Sequence, residues 1–165
     1  MNLPAIICII GAMTALPALG AGSAPIVAPE EQVAKQESPA VTAYNQGVEL
    51  LKGKQFAQAQ KKFEQAVKLD PTFAEAYNNL AFTLRRQGSA NYQKSLELYN
   101  KAIQLKPKLA EAYMYRGVLY TQMGRKADAQ ADLARLKKLN VRLAKELEEY
   151  IRTGTEEDYL YGATN

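Results

Sequence analysis

Several reactive side chains are scarce or absent in this sequence of 165 residues. It has no histidine, and its single cysteine is Cys8. Thiol catalysis, Ser-His triads and zinc sites of the usual ligand types are therefore disfavoured over most of the chain. We also find no paired-carboxylate spacing, no phosphate-binding loop and no nucleophile beside a base. The sequence thus predicts a protein that is not an enzyme and needs no metal or other cofactor.

Charge is plentiful but unevenly distributed. The net charge is +4, yet residues 40–145 hold 19 Lys and Arg against eight Asp and Glu, whereas residues 146–165 hold Arg152 against six acids. A basic run such as Lys61, Lys62 and Lys68 is more often a solvated face than a polyanion site. Nucleic acid is not expected as a partner, because the N-terminus indicates export.

The N-terminal segment has the pattern of a secretory signal peptide. The first 29 residues carry no charged side chain, and residues 3–19 are apolar before a run of small residues. Residues 1–20 are predicted to be removed ahead of Ala21, which would make the protein periplasmic or secreted. The alternative is that residues 3–19 remain as a membrane anchor, although Pro4 and Pro17 interrupt them. Membrane contact is expected only in that case.

A flexible linker is predicted at residues 21–39. Its composition changes to Pro, Ala, Glu and Gln, and Pro25, Pro29 and Pro39 are expected to break any helix there. The whole chain has no Asn-x-Ser/Thr acceptor, which favours a bacterial envelope over a eukaryotic secretory route.

A set of landmark residues recurs at steps of 34 to 36 residues. The first landmark is a small residue, at Gly47, Ala81 and Gly117. The second is another small residue, at Ala59, Ser95 and Ala129. The third is a proline, at Pro71 and Pro107. This period indicates helix pairs that must stack, because one pair cannot bury its own apolar face. Small residues are expected to face each other at the helix crossings, with Phe63 and Tyr99 filling the space between successive pairs.

The predicted fold is an all-α solenoid of about three helix pairs with a C-terminal capping helix. The domain covers residues 40–152, with repeats at residues 40–73, 74–109 and 110–143. The capping helix is predicted at about residues 141–152, with Asn140 as its N-cap and Gly154 as its terminator. Residues 153–165 are predicted to form an acidic tail.

The three units resemble tetratricopeptide repeats over about residues 40–139. In the second unit the family's signature positions are held by Tyr77, Leu80, Ala81, Leu84, Tyr92, Ser95, Tyr99, Ala102 and Pro107. The first unit departs from the pattern with Ala43 in place of a large aromatic residue, and the third with Leu133, Leu136 and Val141.

The resemblance implies a concave groove lined by the first helix of each pair. The positions that would point into it are Tyr44, Val48 and Leu51, then Asn78, Asn79, Phe82 and Arg85, then Met114, Tyr115, Val118 and Thr121. The alternative for Tyr44, Phe82 and Val118 is ordinary core between repeats, because apolar residues at helical spacing are usually core. Asn79 is the preferred candidate, since an amide can both donate to and accept from a peptide backbone.

One known use of this fold is a clamp for C-terminal carboxylates of chaperones, which needs Lys, Asn, Asn, Lys and Arg at set groove positions. Those positions hold Tyr44, Val48, Asn79, Glu111 and Tyr115. Only Asn79 fits, so that clamp is not expected.

The sequence predicts a non-catalytic adaptor of the bacterial envelope that binds a protein or peptide partner. The alternative is an envelope structural or tethering protein whose basic body binds anionic lipid or polymer. A salt titration distinguishes them, because polyanion binding weakens with salt far more than binding in an apolar groove. The partner and the oligomeric state cannot be read from the sequence.

Overall fold

The computed structural model describes residues 37–154. The predicted signal peptide, nearly all of the predicted linker and the acidic tail beyond Gly154 lie outside the described residues. Within residues 37–154 the chain is helical with no strand, as predicted. The helices are α1 (Pro39–Lys52), α2 (Phe56–Leu69), α3 (Ala74–Arg86), α4 (Tyr92–Leu105), α5 (Ala110–Gln122), α6 (Lys126–Leu139) and α7 (Val141–Thr153), with a 3₁₀ turn at Ser89–Asn91 before α4.

The helices pack as a stack of three pairs closed by a seventh helix. The pairs are α1 with α2, α3 with α4, and α5 with α6, and each pair packs on the next through α2 with α3 and α4 with α5. The first helices also touch one another, α1 with α3 and α3 with α5. Helix α7 packs against both α5 and α6. The predicted solenoid of three pairs with a capping helix is therefore confirmed.

Local signals mark the start of α1 and both ends of α7. The side chain of Asn140 accepts a hydrogen bond from Leu143 N at 3.1 Å, and Gly154 ends α7 with a φ of 73°. Both predictions are confirmed. The expectation that Pro39 breaks a helix is wrong, because Pro39 is the first residue of α1 and Ser38 is its N-cap. A proline loses no hydrogen bond at that position.

Large side chains lie against the glycines at two helix contacts. A Cβ atom at Gly47 would lie 2.7 Å from the Phe63 ring, and one at Gly117 would lie 2.5 Å from the side chain of Leu147. These glycines thus make room for a bulky neighbour, and the expected pairing of small residues at the crossings stays a prediction. Phe63 packs against Gly47 and, with ring centres 5.8 Å apart, against Tyr44 of the same pair, while its place between successive pairs also stays a prediction. Tyr99 does reach the next pair, with its ring 6.4 Å from that of Tyr115.

A largely buried ion pair within the third pair also binds a residue of the second pair. Arg116 donates to both carboxylate oxygens of Asp132, at 2.9 and 2.6 Å, and to Oδ1 of Asn100 at 2.7 Å. Burial opposes the charge of Arg116, but the hydrogen bonds and charge of Asp132 keep the pKa of Arg116 above its usual value. Burial raises the pKa of Asp132, and the contact with Arg116 offsets part of that rise. The pair fixes α5 relative to α4 and α6.

We expect Gly117→Ala to destabilise the protein, because the new methyl group would overlap the fully buried side chain of Leu147. Overpacking costs about 1–3 kcal/mol, and the better helix propensity of alanine returns about 1 kcal/mol of that. Urea denaturation measures the change. The control Gly53→Ala would meet the exposed side chain of Gln55 at 3.1 Å and the Leu50 carbonyl oxygen at an ordinary contact distance of 3.5 Å, and it should be close to neutral. Adding Leu147→Ala to Gly117→Ala should relieve the overlap, and a purely additive double variant would contradict this contact.

Truncation after Leu139 should expose the apolar face that α7 covers and should promote aggregation. The residues that α7 buries against this face are Leu143, Ala144, Leu147 and Tyr150. The matched control ends at Gly154 and keeps α7. Light scattering and thermal unfolding compare the two truncated proteins. A monomeric protein of unchanged stability after truncation at Leu139 would remove the capping role of α7.

Candidate peptide-binding groove

The first helices of the three pairs line one cavity of about 350 Å³. Helix α1 contributes Tyr44, Val48 and Leu51, α3 contributes Glu75, Asn78, Asn79 and Phe82, and α5 contributes Glu111 and Tyr115. The turn between α4 and α5 adds Lys106 and Leu109. These eleven residues are called the groove cavity below. It lies along the contacts of α1 with α3 and of α3 with α5.

Seven of the eleven groove positions given by the sequence line the groove cavity, namely Tyr44, Val48, Leu51, Asn78, Asn79, Phe82 and Tyr115. The other four, Arg85, Met114, Val118 and Thr121, do not line it. Arg85 is 3% exposed, Met114 is 4% exposed and Val118 is fully buried. Their side chains therefore offer a partner almost no surface. Phe82 and Asn78 line the cavity but are equally buried, at 2% and 4% exposed, so they shape its wall more than they offer contact area. The guanidinium of Arg85 instead lies 5.3 Å from the centre of the Phe82 ring and donates to Gln122 at 3.3 Å.

Sequence reasoning did not assign Glu75, Lys106 and Leu109 to the groove. Glu111 was expected only as one of the five positions of the carboxylate clamp, which this sequence lacks. Glu75 precedes Asn79 by four residues on α3, so helical spacing could have found it. Lys106 and Leu109 come from a turn, and a rule based on the first helices alone does not include turns.

Side-chain hydrogen bonds connect three residues of the groove cavity, Asn78, Asn79 and Tyr44. Asn78 Nδ2 donates to Asn79 Oδ1 at 3.1 Å, and Asn79 Nδ2 donates to the hydroxyl oxygen of Tyr44 at 3.2 Å. Both functional groups of Asn79 are thus engaged, although each keeps one further donor or acceptor site. Asn78 is 4% exposed, and its Oδ1 accepts no hydrogen bond from the described residues. This series of hydrogen bonds therefore ends at a buried acceptor without a donor.

The charged groups of the groove cavity leave it negative. Lys106 forms an ion pair with Glu75, and this contact raises the pKa of Lys106. Glu111 is exposed and forms no ion pair with residues 37–154. Burial is the main cause that raises the pKa of Tyr44, and the charges of Glu75 and Glu111 raise it further. Both carboxylates of the cavity therefore act on the Tyr44 phenol.

Aromatic rings form the apolar part of the same surface. The rings of Phe82 and Tyr115 are 5.1 Å apart between centres, and those of Tyr44 and Phe73 are 4.8 Å apart. Such tilted pairs are favourable arrangements for aromatic side chains. The cavity therefore combines rings, amides and carboxylates, which suits recognition of an extended chain rather than chemistry on it.

Residues 37–154 contain no group of three or more His, Cys, Asp and Glu side chains placed to hold a metal ion. Within the same part of the chain, none of the helices is both long and apolar enough to cross a bilayer.

Stacked helix pairs with a groove along their first helices define an α-solenoid of the helical-repeat class. The sequence pattern of the TPR repeat matches residues 47–88 and 91–124. The chain is 33% identical to tetratricopeptide repeat protein 36 of Xenopus tropicalis over 104 residues, which are 61% of this chain and 50% of that protein. It thus spans about half the length of that relative. The chain belongs to the tetratricopeptide repeat family.

Solved structures agree with this fold. The Arabidopsis OM64 TPR domain superposes with a TM-score of 0.63 at 25% identity, over 70% of this chain and 96% of that one. The first TPR of Spaghetti (RPAP3) bound to the HSP90 peptide SRMEEVD gives 0.63 at 19% identity, over 70% and 91%. The TPR2B domain of yeast Sti1 in its complex with pHsp70 gives 0.64 at 20% identity, over 70% and 98%. The Spaghetti and Sti1 domains are only 19% and 20% identical to this chain, so their similarity shows a shared fold and nothing about shared partners.

The pKa of the Tyr44 phenol should fall when either nearby carboxylate is neutralised, because a negative neighbour disfavours the phenolate. We expect Glu75→Gln to lower it more than Glu111→Gln, since Glu75 exerts the larger effect. Glu97→Gln on α4, outside the cavity, is the control and should change nothing. Titration of the Tyr44 ring carbon by NMR measures the three values. An unchanged pKa in both groove variants would contradict the negative potential.

Proposed function

We propose that this protein is a non-catalytic adaptor that holds a peptide or protein partner in the groove cavity. The observation that carries the proposal is the joint lining of one cavity by aromatic rings, two amides and carboxylates from all three helix pairs. Helices present these groups in fixed positions, which limits the entropy lost on binding. Two structural neighbours are complexes with an HSP90 peptide and with pHsp70, which supports the same use of the fold here.

The partner is not expected to be a peptide held through its C-terminal carboxylate. All five positions at which the family resemblance places a carboxylate clamp line the groove cavity. They hold two aromatic residues, a valine, an amide and the carboxylate of Glu111. Only Asn79 matches the clamp, and Glu111 would repel a carboxylate.

The proposed place of action is the bacterial envelope, after removal of residues 1–20. The uncharged N-terminal 29 residues and the absence of Asn-x-Ser/Thr support this proposal. Retention of residues 3–19 as a membrane anchor is the alternative, and it would keep the groove in the same compartment.

A second candidate function uses the basic surface rather than the groove. The second helices carry exposed lysines, among them Lys61 and Lys68 on α2 and Lys94 on α4. Such a surface suits a tethering protein that binds anionic lipid or polymer. Binding of this type should weaken steeply between low and physiological salt, whereas partner binding in the groove should not.

A photo-crosslinking amino acid tests the adaptor function in the cells that produce the protein. It replaces Val48 in the groove cavity or, as a matched control, the exposed Gln104 on α4. We expect one partner to crosslink from position 48 and not from position 104. Adding Asn79→Ala should weaken that crosslink, since Asn79 lies in the same cavity. Equal crosslinking from both positions, or none from position 48, would contradict the proposal.

A further inference from the structure

The groove cavity has an excess of hydrogen-bond acceptors and negative charge within a basic protein. Its ionised groups are Glu75, Glu111 and Lys106, and Lys106 is already paired with Glu75. Residues 40–145 as a whole hold 19 Lys and Arg against eight Asp and Glu. Most of the body therefore repels a cation, while this cavity attracts one.

A second, independent feature of the cavity also requires a donor. Asn78 is 96% buried, lines the cavity, and has an Oδ1 that accepts no hydrogen bond from residues 37–154. Its own Nδ2 is bonded to Asn79, and the oxygen has almost no accessible surface in this arrangement. A buried acceptor without a donor is costly, so a rotation of the amide that lets a ligand N–H group reach the oxygen would remove that cost.

The rest of the wall suits the aliphatic stem of a long cationic side chain. Val48, Leu51 and Leu109 are apolar, and the Phe82 and Tyr115 rings lie 5.1 Å apart beside them. Lysine and arginine bury their methylene stems on apolar surface while the charged end pairs elsewhere. A volume of about 350 Å³ is at the lower end for ligand pockets, which fits one side chain and its flanking backbone.

We propose that the groove cavity selects a partner peptide by binding the cationic end of one of its lysine or arginine side chains, between Glu111 and the Asn78 oxygen. This inference rests on the proposed adaptor function and specifies the chemistry of its partner. It also excludes acidic segments as occupants. The sequence Glu156-Glu157-Asp158 of the chain's own tail has the wrong charge for this cavity.

Three capped heptapeptides test the proposal on the full chain. They share the frame Gly-Ala-Ala-X-Ala-Ala-Gly, with Lys, Gln or Glu as X, so they differ only in the charge of one side chain. NMR titration of the ¹⁵N-labelled protein follows backbone amide shifts. We expect the Lys peptide to shift the amides of Tyr44, Asn79 and Glu111 saturably, and to bind about fivefold more tightly than the Gln peptide. The Glu peptide should bind most weakly.

Glu111→Gln and Glu97→Gln form a matched pair of variants. Glu111 is exposed and forms no ion pair with the described residues, so its neutral isostere should fold, losing only the small benefit of a carboxylate in the first turn of α5. We expect Glu111→Gln to lower the affinity for the Lys peptide about three- to fivefold and to leave that for the Gln peptide unchanged. Glu97 contacts Gln93 on α4, away from the cavity, and its variant should keep the full preference.

Four outcomes would overturn the proposal. They are binding of the Glu peptide at least as tight as that of the Lys peptide, saturable shifts confined to residues outside the cavity, an undiminished preference in Glu111→Gln, and no binding of any peptide. If a partner still crosslinks from position 48, the adaptor function stands, and only the proposal that the cavity binds a cationic side chain is refuted. Loss of that crosslink would refute the adaptor function itself.

Discussion

Close contact between neighbouring helices is the constraint on which the rest of this structure depends. Phe63 fits over Gly47, and Leu147 fits over Gly117, at distances that leave no room for even a methyl group. The first contact joins α1 to α2, and the second joins the capping helix to α5. Such contacts position α1 and α5, and the packing of each pair on the next places α3 between them, so the three helices lie side by side and form the groove.

This packing makes the groove rigid. Its polar groups stand on helices rather than on loops, and the bond from Asn79 to Tyr44 connects two helix pairs directly. On the last pair, Arg116 holds Asp132 and Asn100 and so fixes α5 relative to its neighbours. Glu111 and Tyr115 are carried by that same helix. The ion pair thus helps to position groove residues that it does not touch.

Much of this architecture follows from the sequence because repeats are periodic. One helix pair with its landmarks predicts the next, so the small residues, the prolines and the Asn140 cap could be assigned before the structure. Tyr44 and Asn79 could be placed in the groove for the same reason, since they share a face of the first helices.

The remaining site features depend on packing that a periodic pattern does not contain. Lys106 and Leu109 enter the cavity from a turn, where helical spacing gives no guidance. Val118 and Met114 were expected in the groove but belong to the same core cluster as Leu147 of the capping helix. The capping helix packs against α5, and without it this face of α5 would be exposed. The unpaired oxygen of Asn78 could not be foreseen either, because it depends on which neighbour its amide nitrogen reaches.

The local pattern of helix contacts links binding to folding at one end of the stack. Among residues 37–154 each helix pair contacts only the adjacent pair or the cap, so α1 can detach without disturbing the packing of α5, α6 and α7. Detachment would remove Tyr44 and Val48 from the cavity and leave Glu111 and Tyr115 in place. A ligand that touches both sets binds only the fully stacked form, and its binding energy therefore adds to the stability of the terminal pair. An occupied groove would protect α1 from proteases and from amide exchange more than it protects α6.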